Sequence, residues 1–110
     1  MPSPADFFAI DIRVGTVLRA EPFPEARKPS LKLEIDFGVE LGIRRSSAQL
    51  TKHYSAAGLV GRQVIAVVNI GDRRIAGFTS QVLVLGAMPS PTEVVLLGPA
   101  HSVENGTRIG

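Results

Sequence analysis

The chain has 110 residues, of which 45% are hydrophobic and 20% charged, and its formal net charge is +2. This length allows one domain, 1–110, and the composition is that of a folded protein rather than a disordered one. The absence of cysteine excludes disulfides, thiol nucleophiles and cysteine-ligated zinc, and it suits a cytoplasmic protein. The chain does not start with basic residues followed by a long apolar run, so we expect neither a signal peptide nor membrane insertion.

The chain is predicted to open with a short helix that is followed at once by a strand. Ser3 can cap a helix and Pro4 fits its first position, which predicts a helix over 5–10. Apolar residues then occupy even positions from Ile12 to Ala20, the period of a strand with one buried face. Gly15 allows this strand to bend, as a small barrel requires.

Two further strands and a helical turn are predicted in the next part of the chain. The proline-rich residues 21–30 predict a loop. Residues 31–37 (LKLEIDF) alternate apolar and charged residues without exception, which predicts a strand. A shorter strand follows over 43–47, and 47–54 (SAQLTKHY) has the form of a capped helical turn.

The last three predicted strands are apolar on both faces. They cover 63–69 (QVIAVVN), 80–86 (SQVLVLG) and 93–98 (EVVLLG), with turns predicted over 70–79 and 87–92. A strand of this kind has both faces covered in the folded state, yet the chain has few helices with which to cover them. We therefore expect a second copy of the chain, or a bound apolar partner, to cover the outer faces.

The predicted order of elements indicates an all-β fold. Consecutive strands with a helix between the third and fourth are typical of a five-stranded Greek-key barrel of the oligonucleotide-binding (OB) type. The sequence thus predicts a homodimeric OB-fold barrel with short helices at the N-terminus and between strands 3 and 4.

Positive charge is concentrated in one third of the chain. Residues 44–74 contain six basic residues and one acidic residue, whereas the remaining residues carry a net charge of −3. Such a segment can form a basic face for a polyanion or for an acidic protein partner. A set of solvated basic loops is the alternative.

The motifs of catalysis, of metal binding and of nucleotide binding are poorly represented. His53 and His101 are not part of a metal-ligand motif, and no nucleotide-binding loop is present, so no cofactor is predicted. Ser46, Ser47 and His53 are residue types of a hydrolase triad, but no nucleophile-elbow motif surrounds them and no acid is evidently placed to orient the imidazole. We therefore expect a binding protein and not an enzyme.

Binding chemistry is better represented at the ends of the predicted strands. Arg44-Arg45 and Arg73-Arg74 supply guanidinium groups that bind phosphate or carboxylate oxygens. Phe78 and Tyr54 are candidates for stacking on a base or contacting an apolar side chain. The low aromatic content disfavours single-stranded nucleic acid, and Phe78 is equally compatible with a place in the core.

Three segments, DIRVGTVLRAEPFPEARKPSLKLEIDFG, SSAQLTKHY and QVIAVVNIGDRRIAGFTSQVLVLG, carry a family resemblance. In this order they are similar to the tRNA-binding OB-domain family, and most closely to its bacterial protein-secretion chaperones. The family also includes the C-terminal dimerisation domains of methionyl-tRNA synthetases and structure-specific tRNA-binding proteins. The resemblance covers almost the whole chain, from Asp6 to Gly110.

The resemblance implies a homodimeric, ATP-independent chaperone that binds unfolded or precursor polypeptides in a cleft with apolar pockets and a basic rim. It also implies an export ATPase as a further partner, and tRNA binding in the same basic groove is the alternative. By position, Asn69, Ser80 and Gln81 match polar residues of the family's recognition surface, whereas Leu83 replaces a methionine found in tRNA-binding members. The predicted peptide or RNA contacts are Arg45, Ser46, Ser47, Lys52, Asn69, Arg73, Arg74, Phe78, Ser80 and Gln81.

Overall fold

A computed structural model describes all residues, 1–110, and contains three short helices and nine strands. None of the helices has the length and hydrophobicity needed to cross a bilayer. In chain order the elements are α1 (Pro4–Phe8), β1 (Ile12–Pro22), β2 (Leu31–Asp36), α2 (Gly38–Leu41), β3 (Ile43–Ala48), α3 (Ala56–Leu59), β4 (Gln63–Val67), β5 (Arg73–Ile75), β6 (Phe78–Ser80), β7 (Leu83–Val84), β8 (Gly86–Ser90) and β9 (Glu93–Leu96).

Five of the strands form an antiparallel sheet that curls into a nearly closed barrel. Its order is β3-β2-β1-β4-β7, so β3 and β7 are its two edge strands. The β5–β6 and β8–β9 hairpins form two separate two-stranded sheets. The predicted all-β barrel of OB type is therefore confirmed.

The core lies inside the barrel, and on β2 it follows the alternation that the sequence predicts. Leu33, Ile35 and Phe37 are almost completely buried, and the charged residues between them on β2 are half-buried on the outer face.

On β1, however, Gly15 and Val17 face this core, whereas Leu18, which was predicted to lie on the buried face, is 45% exposed. Val14 is buried outside the core cluster, and the register of β1 against β2 shifts between Val17 and Arg19. Alternation of period two thus places the predicted face of β2 in the core, but the buried face predicted for β1 is wrong, because odd-numbered residues up to Val17 face the core there.

The predicted N-terminal helix is confirmed, with its end two residues earlier than expected. The Ser3 hydroxyl accepts a hydrogen bond from the Asp6 N–H, and the Asp6 carboxylate accepts one from the Ser3 N–H. This reciprocal capping satisfies two N–H groups that a helix start leaves free.

The helical turn predicted over 47–54 begins later than expected, at Leu50, whose carbonyl accepts a hydrogen bond from the Tyr54 N–H at 3.2 Å. Ala48 still pairs with Leu31 on β2, so β3 extends through the predicted cap. The helix before β4 is α3 instead, where the Ser55 hydroxyl accepts a hydrogen bond from the Gly58 N–H. Pairing with β2 overrides a local capping pattern because it satisfies several backbone groups at once.

The predicted boundaries of the last strands also need correction. The run 80–86 is divided among β6, β7 and β8, and residues 86–90, most of which were predicted to form a turn, are strand β8. Pro89 made the turn plausible, but β8 pairs on one side only, with β9, where a proline is tolerated. The segment 70–79 was predicted to be a turn, and most of it forms the β5–β6 hairpin.

Candidate functional site

The two edge strands of the barrel, β3 and β7, face each other along a line that we call the seam. Near Arg45 the seam is closed by the residues that precede β7. The Gln81 N–H donates to the Arg45 carbonyl at 2.7 Å, and the Gln81 side-chain oxygen accepts from the Arg45 N–H at 2.9 Å. Ser80 Oγ accepts from the Ser47 N–H at 3.1 Å, and Ser46 Oγ donates to the Val82 carbonyl at 3.1 Å. The Gln81 backbone N–H, the Gln81 side chain and the Ser80 hydroxyl thus satisfy the free edge of β3 in place of a neighbouring strand.

Beyond Ser47 the seam opens into a groove with a volume of about 670 Å³. The groove lies between the loop after β1, the end of β3, the β5–β6 hairpin and the strands β7 and β8. Its lining residues are 26–28, Ser30, 47–50, Arg73, Ile75, 83–86, Met88, Pro91 and Val94. A cleft of this size can bury several side chains of a ligand.

The charge in the groove is exclusively positive. Arg27, Lys28 and Arg73 line it, and no carboxylate does. None of these three cations forms an ion pair with an acidic residue of the chain. Because Leu83 and Met88 expose apolar surface beside them, the groove combines an apolar floor with a basic rim.

The predicted contact Phe78 lies outside this groove, on the outer face of β2. Its ring makes an edge contact with Phe23, with centroids 5.5 Å apart. Lys32 Nζ and Arg45 Cζ lie 5.7 Å and 5.4 Å from its centroid. Together with Glu34 and neighbouring charged residues, Lys32, Arg45 and Phe78 line a smaller hollow of about 200 Å³ in which acidic and basic groups are paired. The Phe78 ring is thus already engaged by neighbouring side chains.

Three of the remaining predicted contacts, Lys52, Asn69 and Arg74, lie outside the groove. Asn69 accepts a hydrogen bond from the Asp11 N–H at 2.8 Å and donates one to the Ala9 carbonyl at 2.9 Å, which holds the end of α1 against the end of β4. Arg74 is exposed beside Arg73 on β5. Ser47 and Arg73 are the only predicted contacts that line the groove.

Sequence reasoning missed Glu93, which orients His53. His53 Nε2 lies 2.6 Å from one Glu93 carboxylate oxygen, and Lys52 Nζ lies 3.8 Å from the other. The hydrogen bond with His53 is the largest cause that lowers the pKa of Glu93. No serine hydroxyl hydrogen-bonds to His53 and Ser46 is buried, so these groups do not form a triad. The contact instead ties the loop after β3 to the β8–β9 hairpin, and 40 residues separate its two partners.

The lowered pKa of Glu93 predicts a loss of stability in acid. The ionised carboxylate stabilises the folded state above its ordinary pKa, and this contribution is lost as the pH falls through the lower pKa of the folded state. We expect the free energy of unfolding of the wild type to fall more steeply than that of Glu93→Gln below about pH 4. Denaturant titrations at a series of pH values measure the difference, and two parallel curves would show that the contact does not couple to folding.

The family model described as "Putative tRNA binding domain" matches residues 12–108. Two solved structures match the whole chain. The chaperone CsaA from Bacillus anthracis is 53% identical, with a TM-score of 0.95, over 100% of this chain and 99% of that one. The CsaA chaperone protein from Picrophilus torridus is 44% identical, with a TM-score of 0.92, over all of both chains.

Curated relatives include much larger proteins. The methionine–tRNA ligase of Porphyromonas gingivalis is 38% identical over 104 residues, which cover 94% of this chain and 15% of the ligase. The chain therefore spans about 15% of the length of such relatives. These matches confirm the predicted resemblance to chaperones within the tRNA-binding OB-domain family, and they support a chaperone or tRNA-binding role.

Proposed function

Because this chain belongs to the tRNA-binding domain family, we propose that it is a homodimeric, ATP-independent chaperone that holds unfolded or precursor polypeptides in the groove at the seam. In this proposal the protein acts in the cytoplasm and passes its clients to an export ATPase. The two CsaA chaperones with which it aligns over its full length support this choice of function.

One observation carries the proposal: the groove joins exposed apolar side chains to unpaired cations, and no aromatic residue lines it. Leu83, Met88 and Val94 offer contacts to apolar side chains of a client. Arg27 and Arg73 can bind its carboxylates or backbone carbonyls. Nucleic-acid bases find no stacking surface inside the groove, which favours a polypeptide ligand.

Suppression of aggregation tests this function. An unfolded model protein is diluted into buffer without nucleotide, and light scattering is followed with and without the chain. We expect a stoichiometric amount of dimer to suppress the scattering, and no suppression would refute the proposal. Serum albumin at the same mass concentration is the control for non-specific crowding.

Apolar surface outside the groove supports the proposed dimer. Val95 on β9 and Leu97 just after it are each about two-fifths exposed, and Phe7 and Phe8 are exposed on α1. No residue of α1 is buried within the chain. A second copy is the occupant that we propose for this surface, because exposed apolar residues of this size are usually covered in an assembly. Static light scattering is expected to return the mass of two chains.

Structure-specific tRNA binding is the second candidate, and the family model is the observation that favours it. Arg73 and Arg74 lie together on β5, are exposed and form no ion pair, so they are free to contact phosphates. Binding would then weaken steeply with salt, because bound cations are released from the RNA.

Replacement of both arginines tests the tRNA role. If each contacts a phosphate, Arg73→Ala with Arg74→Ala weakens tRNA binding and reduces the slope of log affinity against log salt by about two. Arg19→Ala is the control, since Arg19 is paired with Glu21 and Glu34. Filter binding between about 50 and 200 mM salt, a range over which a protein with about 6–10 phosphate contacts loses about 10³-fold or more in affinity, gives both slopes. Equal slopes for the double variant and the wild type would exclude this contact.

A further inference from the structure

The groove is bordered by a strand edge whose backbone groups are free. In the pairing of β4 with β7, Ala66 lies opposite Val84 and Val67 opposite Leu83. The Leu85 N–H donates to the Ile65 carbonyl at 2.8 Å. Since hydrogen-bonded and non-bonded pairs alternate in an antiparallel ladder, the N–H and C=O of Val84 point away from β4 and towards the seam.

The end of β3 forms the opposite wall of the groove. On β3 the outward-pointing groups of Arg45 and the N–H of Ser47 are bonded to Gln81 and Ser80. Gln49 follows the end of β3, where the Leu50 N–H donates to the Ala48 carbonyl, and its own backbone N–H and C=O form no backbone hydrogen bond. The edges of the sheet are therefore satisfied where the seam is closed and free where the groove begins.

The way in which the strands line the groove agrees with this assignment. Both residues of β7, Leu83 and Val84, line it, and so do the last two residues of β3, Ser47 and Ala48, on the other wall. A strand that presents one face to a cavity contributes every second residue, because side chains alternate between faces. Consecutive lining residues are expected when the edge of a strand borders the cavity.

We propose that the client binds by β-strand addition, in which an extended polypeptide segment pairs its main chain with the free edge of β7 at Val84. The client segment that fits has apolar side chains flanked by carboxylates. The groove offers Leu83 and Met88 to the apolar side chains. It offers Arg27, Lys28 and Arg73 to the carboxylates. Pairing through the main chain does not depend on the client's sequence, so one site can accept many unfolded chains. This inference rests on the proposed chaperone function and specifies how the client is held.

Backbone-modified peptides test the proposal. The parent peptide alternates leucine and valine and ends in glutamates, and two derivatives carry N-methyl groups on alternate residues, in the two possible frames. Each derivative lacks the N–H donors of one strand edge and keeps every side chain. We expect fluorescence anisotropy to show at least tenfold weaker binding for at least one derivative. Binding of both within threefold of the parent overturns strand addition and leaves the chaperone function standing, whereas no binding of the parent refutes the function itself.

A substitution in the protein provides a second readout. Val84→Pro removes the free N–H without removing a hydrogen bond to β4, and proline is tolerated where a strand N–H faces outward. We expect it to bind the parent peptide at least tenfold more weakly than Val84→Ala, which shortens the side chain but keeps the N–H. Circular dichroism and light scattering accompany both variants. A change of oligomeric mass in Val84→Pro would assign this edge to a subunit contact and overturn the proposal, and if that variant does not fold the peptide pair decides.

Discussion

Replacement of Leu83 by aspartate is expected to abolish suppression of aggregation and to weaken binding of an apolar peptide at least tenfold. Leu83 is 42% exposed and lies on the wall of the groove, so its substitution alters binding surface more than core. A carboxylate at this place removes an apolar contact and must lose part of its hydration when a client covers it. A tenfold loss corresponds to about 1.4 kcal/mol of binding free energy.

Leu18 provides a matched control for this substitution. It is 45% exposed and also lies on a strand, β1, but it does not line the groove. Leu18→Asp introduces the same charge at a similar exposure, so we expect its chaperone activity to equal that of the wild type. Equal activity of the two aspartate variants in the same assay would mean that clients bind elsewhere.

Substitution of Gly15 by alanine is expected to lower the free energy of unfolding by about 3 kcal/mol, at the upper end of what overpacking of a core costs. A Cβ atom at this position would lie 2.7 Å from Ile35 Cγ2 and 2.7 Å from Phe37 Cδ1. Both side chains are completely buried, so they cannot move aside without displacing the rest of the core. Urea unfolding monitored by circular dichroism measures the loss.

Gly58→Ala is the control for loss of a glycine. Its Cβ would meet only the Ser55 hydroxyl, at 3.0 Å, which lies at the surface. A change within about 1 kcal/mol is expected, because alanine is also the better helix former. A similarly small change in the free energy of unfolding for Gly15→Ala would show that the core side chains can move aside for the added methyl group.

The strands of the barrel could be predicted because the alternation of apolar and charged residues is a pattern of neighbouring positions. The alternation of Leu31, Leu33 and Ile35 with charged residues gives both the strand β2 and its buried face. The order of the predicted elements, with a helix between the third and fourth strands, then indicated a five-stranded Greek-key barrel. The bend at Gly15 was predicted for its flexibility, and the structure adds a second reason, the close approach of the core to its backbone.

The groove was not predictable in the same way, because it is formed by residues far apart in the chain. Ser80 and Gln81 were predicted as ligand contacts, and no local pattern indicates that their side chains bond to the edge of β3, more than 30 residues away. Arg27 and Lys28 lie in the predicted loop 21–30 and were not predicted as ligand contacts, yet they line the groove beside Arg73. Only the closure of the barrel brings these segments together.

Mapping of a bound peptide by NMR tests the central claim most directly. The claim is that an unfolded segment lies in the groove between the open ends of β3 and β7. When an apolar, acid-flanked peptide is titrated into the labelled protein, the account predicts that backbone amide shifts change over 47–50 and 83–86. Changes confined to the outer face of β2, around Lys32 and Phe78, would contradict it.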